Sequence, residues 1–153
     1  MTPKKRPSEL NDHLGYWLRY VSSHVSHAFA VKVEEQGVTV AEWVLLRVLF
    51  DVGEAKPSQI AESIGMTRGA VSKLAERLCQ KKLLVRELSD DDRRSQTIGL
   101  TSAGKRLVPI LAKLADENDR HFFGHLRADE RRILVSTLEG IVRKNGWKDL
   151  PIE

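Results

Sequence analysis

Apolar positions recur along this chain with two periods. From about Glu9 to Glu35 they fall at Leu10, Leu14, Trp17, Leu18, Val21, Val25, Ala28 and Val33. Spacings near three and four put them on one side of a long helix. The segment is polar in between, so one edge is expected to pack on its own domain and another on a partner chain. Gly37 ends it. Thr39 then caps a helix over about Val40–Val52, with Glu42 completing a capping box. Trp43, Val44, Leu46, Val48, Leu49 and Phe50 make this helix almost wholly apolar, so it is expected to be the most buried. Gly53 stops it.

Pro57 and Ser58 open a short third helix with Ile60, Ala61 and Ile64 as its inner face. Gly65 supplies a turn, and Thr67 caps a fourth helix running to about Lys82. Its inner face is Ala70, Val71, Leu74, Leu78 and Cys79. The period then changes to two. Leu83–Leu88 and Gln96–Leu100 read as strands joined by a polar loop of about seven residues, S-D-D-D-R-R-S. Thr101 caps a fifth helix over about Ser102–Leu126, with Leu107, Ile110, Leu111, Leu114 and Phe122 as its stripe. Pro109 removes a bond to Lys105, which predicts a kink. A sixth helix spans about Ala128–Lys144, with a stripe of Ile133, Leu134, Leu138, Ile141 and Val142, and Asn145-Gly146 ends it. The fold class is therefore mainly α with a small β-wing (α+β), in one domain over residues 1–153.

Composition narrows the class further. A chain of 153 residues suits one domain and can bury a sizeable core. The net charge of +4 favours nucleic acid only weakly; placement matters more. One cysteine, Cys79, cannot form an internal disulfide, which reads as a reducing, cytoplasmic setting. No apolar run approaches the roughly 18 residues of a membrane span. The N-terminus is polar, and its Lys4, Lys5 and Arg6 suit a solubilising tail or a phosphate contact.

The charge concentrates on the fourth helix. From Thr67 to Lys82 there are five basic residues (Arg68, Lys73, Arg77, Lys81, Lys82) against one acid, Glu76. Two helices around a Gly, the second basic, followed by a charged hairpin, have the layout of a winged helix-turn-helix. In that layout Thr67, Arg68 and Ser72 are placed to read base edges, and Arg suits guanine. Lys73 and Arg77 are placed for phosphate, and Ser58, which opens the third helix, is a further candidate DNA-binding residue. Arg93 or Arg94 at the hairpin tip suits a narrow minor groove. At least one of Asp90, Asp91 and Asp92 is expected to pair with a neighbouring Arg. A solvated amphipathic helix and a plain polar loop would carry much of the same pattern.

At these residues the sequence resembles the MarR family of bacterial transcriptional regulators. The matching text is V-S-K-L-A-E-R-L, K-K-L-L-V-R and D-D-R-R-S-Q-T-I-G-L-T-S-A-G-K. The resemblance implies a homodimer with a winged helix lobe at 39–101 and dimerisation helices at 9–36 and 102–146. It implies a pseudo-palindromic double-stranded DNA operator and a repressor released by a small molecule. It matches Arg94 to the wing arginine and Asp92 to its support. Two departures stand out: Lys82 holds the place of a Gly after the recognition helix, and Ser89 that of an Asp. A Lys there must take a left-handed backbone, at about 1 kcal/mol, or the helix must end differently.

A ligand pocket in such dimers lies between the dimer base and the DNA-binding lobe. His13, Tyr16, Trp17 and Arg19, with Trp43 and Arg47, mix aromatic walls and charge that suit an aromatic carboxylate. Ordinary core packing is the commoner use of such tryptophans. His24/His27 and His121/His125 are spaced to share helical faces, but two ligands are not a site, so no metal or other cofactor is expected. Cys79 reads as structural rather than as a redox switch. No G-x-S-x-G, phosphate-binding Gly loop or H-E-x-x-H occurs, which argues against an enzyme. A DNA-binding activator or architectural protein without an effector is the alternative. A protein-binding winged helix would need an apolar outer face instead.

Overall fold

The computed structural model describes residues 6–89 and 92–148, with 89 and 92–95 as backbone only. The helices are α1 (Leu14–Glu34), α2 (Val40–Val52), α3 (Pro57–Ile64), α4 (Arg68–Gln80), α5 (Ser102–Phe123) and α6 (Ala128–Asn145). Between α4 and α5 lie strands β1 (Leu84–Ser89) and β2 (Asp92–Leu100), paired antiparallel. The mainly α architecture with one small sheet is the expected one.

The helix starts follow from local chemistry. The Thr39 hydroxyl accepts from the Glu42 N–H at 3.2 Å, and Glu42 accepts from the Thr39 N–H at 2.9 Å, closing the capping box. Thr67 and Thr101 cap α4 and α5 by accepting from Ala70 and Gly104 N–H groups at 3.1 Å each. Between α3 and α4, Gly65 takes φ 66°, a left-handed value that turns the chain without a Cβ clash.

A single apolar cluster joins these elements. It includes Val33, Leu45, Leu46, Leu49, Ile60, Val71, Leu74, Leu78, Leu84, Ile98, Val108 and Leu111. It thus draws on the end of α1, on α2 to α4, on the base of the hairpin and on the first half of α5. α2 and α4 share the deepest burial, with Ala75 adding to the expected inner face of α4. Phe50, expected in the core, is 45% exposed, because it faces outward beside Arg47 near the end of α2.

Several expected boundaries move. The first helix does not begin at Glu9. Leu10–Asp12 forms a separate 3-10 turn, closed by Glu9 N–H donating to Asp12 at 2.8 Å, and His13 is extended before α1 starts. α4 ends at Gln80 rather than Lys82, and α5 ends at Phe123 rather than Leu126. α5 continues through Pro109 as one helix. The strands reach well into the stretch expected to be a seven-residue loop, to Ser89 and from Asp92. Backbone pairing extends them there with no apolar alternation to announce it, and the register shifts between Leu88 and Ser89. An unexpected third contact edges the sheet: Ala55, in the α2–α3 link, exchanges backbone bonds of 3.1 and 2.9 Å with Ile98.

The hairpin is reached through a strained residue. Lys82 takes φ 59°, the left-handed backbone that a Gly would adopt freely. Its carbonyl accepts from the Thr101 hydroxyl at 2.8 Å, and the Leu83 carbonyl accepts from the Thr101 N–H at 3.1 Å. These bonds pin the hairpin base to the start of α5.

α6 and the N-terminal half of α1 are different. No residue of α6 is buried, and Ile133, Leu134, Leu138, Ile141 and Val142 all stand exposed. So do Leu10, Leu14, Trp17, Leu18 and Val21. α6 meets the rest of its chain mainly through an Arg131–Asp119 ion pair at 2.9 Å. Uncovered apolar stripes of this extent mark an interaction surface.

Candidate nucleic-acid interface

α4 buries Val71, Leu74, Ala75 and Leu78, and this fixes what faces outward. Arg68, Ser72, Lys73, Glu76 and Arg77 are exposed. Among the described residues, Arg68, Lys73 and Arg77 form no ion pair, so their N–H donors remain open. The free N–H groups at the start of α4 add partial positive charge beside Arg68. Thr67 spends an oxygen lone pair on its cap, but its O–H can still donate. Ser58 lies half-buried in the first turn of α3. This face can neutralise phosphate and present an arginine fork to a base edge.

Lys81 departs from that picture. It was expected on the basic face, but its Nζ donates to Glu42 at 2.7 Å and to the Gly37 carbonyl at 2.8 Å. The helix has ended there, and the side chain turns back toward the start of α2.

Arg86 was missed. Strand alternation puts it on the face of Leu84, which packs toward α4. Its Nη2 donates to the Ser72 carbonyl at 3.1 Å, tying the hairpin to the middle of α4. An arginine in phase with the buried position of a strand was the available signal. The side chains of Asp92, Arg93 and Arg94 lie outside the described residues; their backbone belongs to β2.

The six residues expected to line a ligand pocket do not converge within one chain. His13 bonds the Glu9 carbonyl at 3.0 Å, and the Trp17 N–H donates to the Asn11 carbonyl at 2.9 Å. Tyr16 packs edge-on to Trp17, with ring centres 5.4 Å apart. Trp43 instead meets Phe29 edge-on at 6.4 Å, about 18 Å further along α1 than Trp17 by helical rise. Arg47 pairs with Asp51 at 2.6 Å, and Arg19 is exposed. Two clefts exist elsewhere. One of about 420 Å³ is open and lies among Gly37, Lys81, Leu83, Arg106 and Ile110. The other, of about 220 Å³, lies between α1 and α5, beside Val25, Phe29, Asn118 and Phe123. None of the six residues lines either cleft.

Asn118 was also missed. It is 4% exposed, donates to the Val25 carbonyl at 3.2 Å and accepts from Lys32 at 2.9 Å, cross-linking α1 and α5. One member of each histidine pair meets an aromatic neighbour: His24 meets Tyr20 and His121 meets Phe122, each at 4.9 Å. Among the described residues, no group of three or more His, Cys, Asp or Glu is placed to hold a metal. Cys79 is half-buried against the core. No described helix is long and apolar enough to cross a membrane.

Comparison with known proteins agrees with this geometry. The profile of the MarR family matches residues 36–95, which span α2 to β2. The transcriptional regulator SarZ of Staphylococcus epidermidis is 25% identical over 130 residues, covering 84% of this chain and 86% of its own. BpsR of Bordetella bronchiseptica, whose DNA binding is regulated by 6-hydroxynicotinic acid, superimposes with a TM-score of 0.79 at 26% identity. That match covers 89% of this chain and 97% of BpsR. MepR of S. aureus, solved as a DNA complex, also gives a TM-score of 0.79, at 25% identity over 86% of this chain and 98% of MepR. On the profile match, the relatives and the shared fold, the chain is similar to the MarR family of transcriptional regulators, most specifically from α2 to β2.

Proposed function

We propose that this chain is a homodimeric, sequence-specific DNA-binding repressor that acts in the cytoplasm and leaves a pseudo-palindromic operator when a small ligand binds. The observation that carries the DNA reading is the exposed basic face of α4, which forms no ion pair among the described residues, backed by a hairpin joined to it through Arg86. In this reading α4 enters the major groove; Thr67, Arg68 and Ser72 read bases, and Ser58, Lys73 and Arg77 hold phosphate. Arg93 and Arg94 reach the minor groove with Asp92 as their support. The lobe is 39–101, and the flanking segments 9–36 and 102–146 pair two chains. The uncovered stripes of α1 and α6 support that pairing.

A titration of the chain against selected DNA duplexes at several salt concentrations tests this. Log affinity should fall linearly with log salt, and specific duplexes should outcompete random ones. Sequence-indifferent binding refutes it. Sedimentation that finds a monomer refutes the dimer.

Release by a small, anionic aromatic ligand draws support from BpsR, which responds to such a molecule. A regulator without an effector is the second reading, and it is favoured by the failure of the six aromatic and charged residues to converge within one chain. Melting the protein with and without 6-hydroxynicotinic acid and benzoate separates the two, since a bound ligand raises the midpoint.

A further inference from the structure

A capping-box glutamate needs only to reach back to the N-cap N–H, which it can do from solvent. Glu42 does this while only 1% exposed. Its carboxylate accepts from the Thr39 N–H at 2.9 Å and from Lys81 Nζ at 2.7 Å, and Lys81 also donates to the Gly37 carbonyl at 2.8 Å. Lys81 is the C-cap of α4. Gly37 and Thr39 lie in the turn that joins α1 to α2. One ammonium therefore binds the trailing end of α4 to the joint at which the long first helix meets the lobe. From the other side, Thr101 holds the carbonyl of the next residue, Lys82, at 2.8 Å.

The position gives leverage. α4 is 13 residues long, so its first turn lies about 20 Å from Lys81. A tilt of roughly 5° about that end would move Arg68 by nearly 2 Å, which is enough to break a hydrogen bond to a base.

We propose that Lys81 and Glu42 are positioning residues for DNA reading. The pair sets the angle of α4 against the α1–α2 joint, and neither residue touches DNA. This rests on the reading of α4 as the DNA-contacting helix. The competing role for Lys81 is a direct phosphate contact.

The test uses a duplex selected by the wild-type protein, titrated with Glu42→Gln, Lys81→Met, Lys81→Arg and the Glu42→Gln/Lys81→Met double variant across a salt series. Gln still completes a capping box, so α2 should keep its start. Glu42→Gln and Lys81→Met should each weaken binding about tenfold with the salt slope unchanged. The double variant should be no weaker than the worse single one, because both remove one interaction. Lys81→Arg should recover most of the affinity. A salt slope reduced by about one in Lys81→Met, with Glu42→Gln binding as wild type, overturns the proposal and makes Lys81 a phosphate contact. Should Glu42→Gln lose its fold, the slope of Lys81→Met decides alone: unchanged supports the role, reduced overturns it. Failure of the wild type to select any duplex refutes the DNA reading itself, an outcome distinct from wild-type binding with unaffected variants.

Discussion

Gly104 stands in the first turn of α5, packed against the base of the hairpin. A Cβ there would lie 2.3 Å from the Leu83 carbonyl oxygen and 3.3 Å from Leu100 Cδ2. Comfortable contacts lie near 3.5 Å, so Gly104→Ala must drive α5 and the Leu83 carbonyl apart by roughly 1 Å. The same carbonyl accepts from the Thr101 N–H at 3.1 Å, and the neighbouring Lys82 carbonyl accepts from the Thr101 hydroxyl at 2.8 Å. The retreat stretches both beyond hydrogen-bonding range. Two lost bonds cost about 1 kcal/mol each, and overpacking costs about 1–3 kcal/mol more. The better helix propensity of Ala offsets at most about 1 kcal/mol. The net loss is about 2–4 kcal/mol, a fall in Tm of roughly 5–15 °C for a chain of this size. Thermal melts followed by far-UV circular dichroism, at one fixed protein concentration, measure it. A Tm within 2 °C of wild type, or above it, would refute the close approach and the pinning of the hairpin that follows from it.

Four further outcomes are expected. Gly69→Ala, with nothing within 4 Å of the added Cβ, should raise Tm by about 1–3 °C in the same melt. Asn118→Leu should cost about 1–3 kcal/mol in urea unfolding, and adding Lys32→Met should recover part of it by removing the stranded ammonium. Leu138→Arg puts a charge into the uncovered stripe of α6, so sedimentation should shift from dimer to monomer. Arg68→Ala should cost about 1–3 kcal/mol of operator affinity and relax preference at one base pair, whereas Lys73→Ala should weaken all duplexes alike and reduce the salt slope by about one.

Wherever a side chain acts on its own neighbourhood, the sequence was readable. The caps Thr39, Thr67 and Thr101 needed only their third neighbours, and the outward face of α4 followed from its apolar period. Lys82 posed a choice between a strained backbone and a different helix end. The answer combines them: α4 stops at Gln80, and Lys82 then takes φ 59°. The strand at 92–95 was hidden because its text is polar and its pairing is a backbone matter. The six residues expected to line a pocket spread out within one chain because helical phase says which way Trp43 points, not that its neighbour on α1 is Phe29.

The sequence by itself determined the order of the elements, the basic face of α4 and the apolar stripes of α6, because periodicity and capping are properties of short segments. Only the tertiary structure decided that Lys81 leaves the basic face for Glu42, that Arg86 reaches Ser72, that Asn118 bridges α1 and α5, and that Gly104 has no room for a methyl group. Each of these joins residues far apart in the chain, and long side chains choose partners by distance in space, which no local pattern encodes.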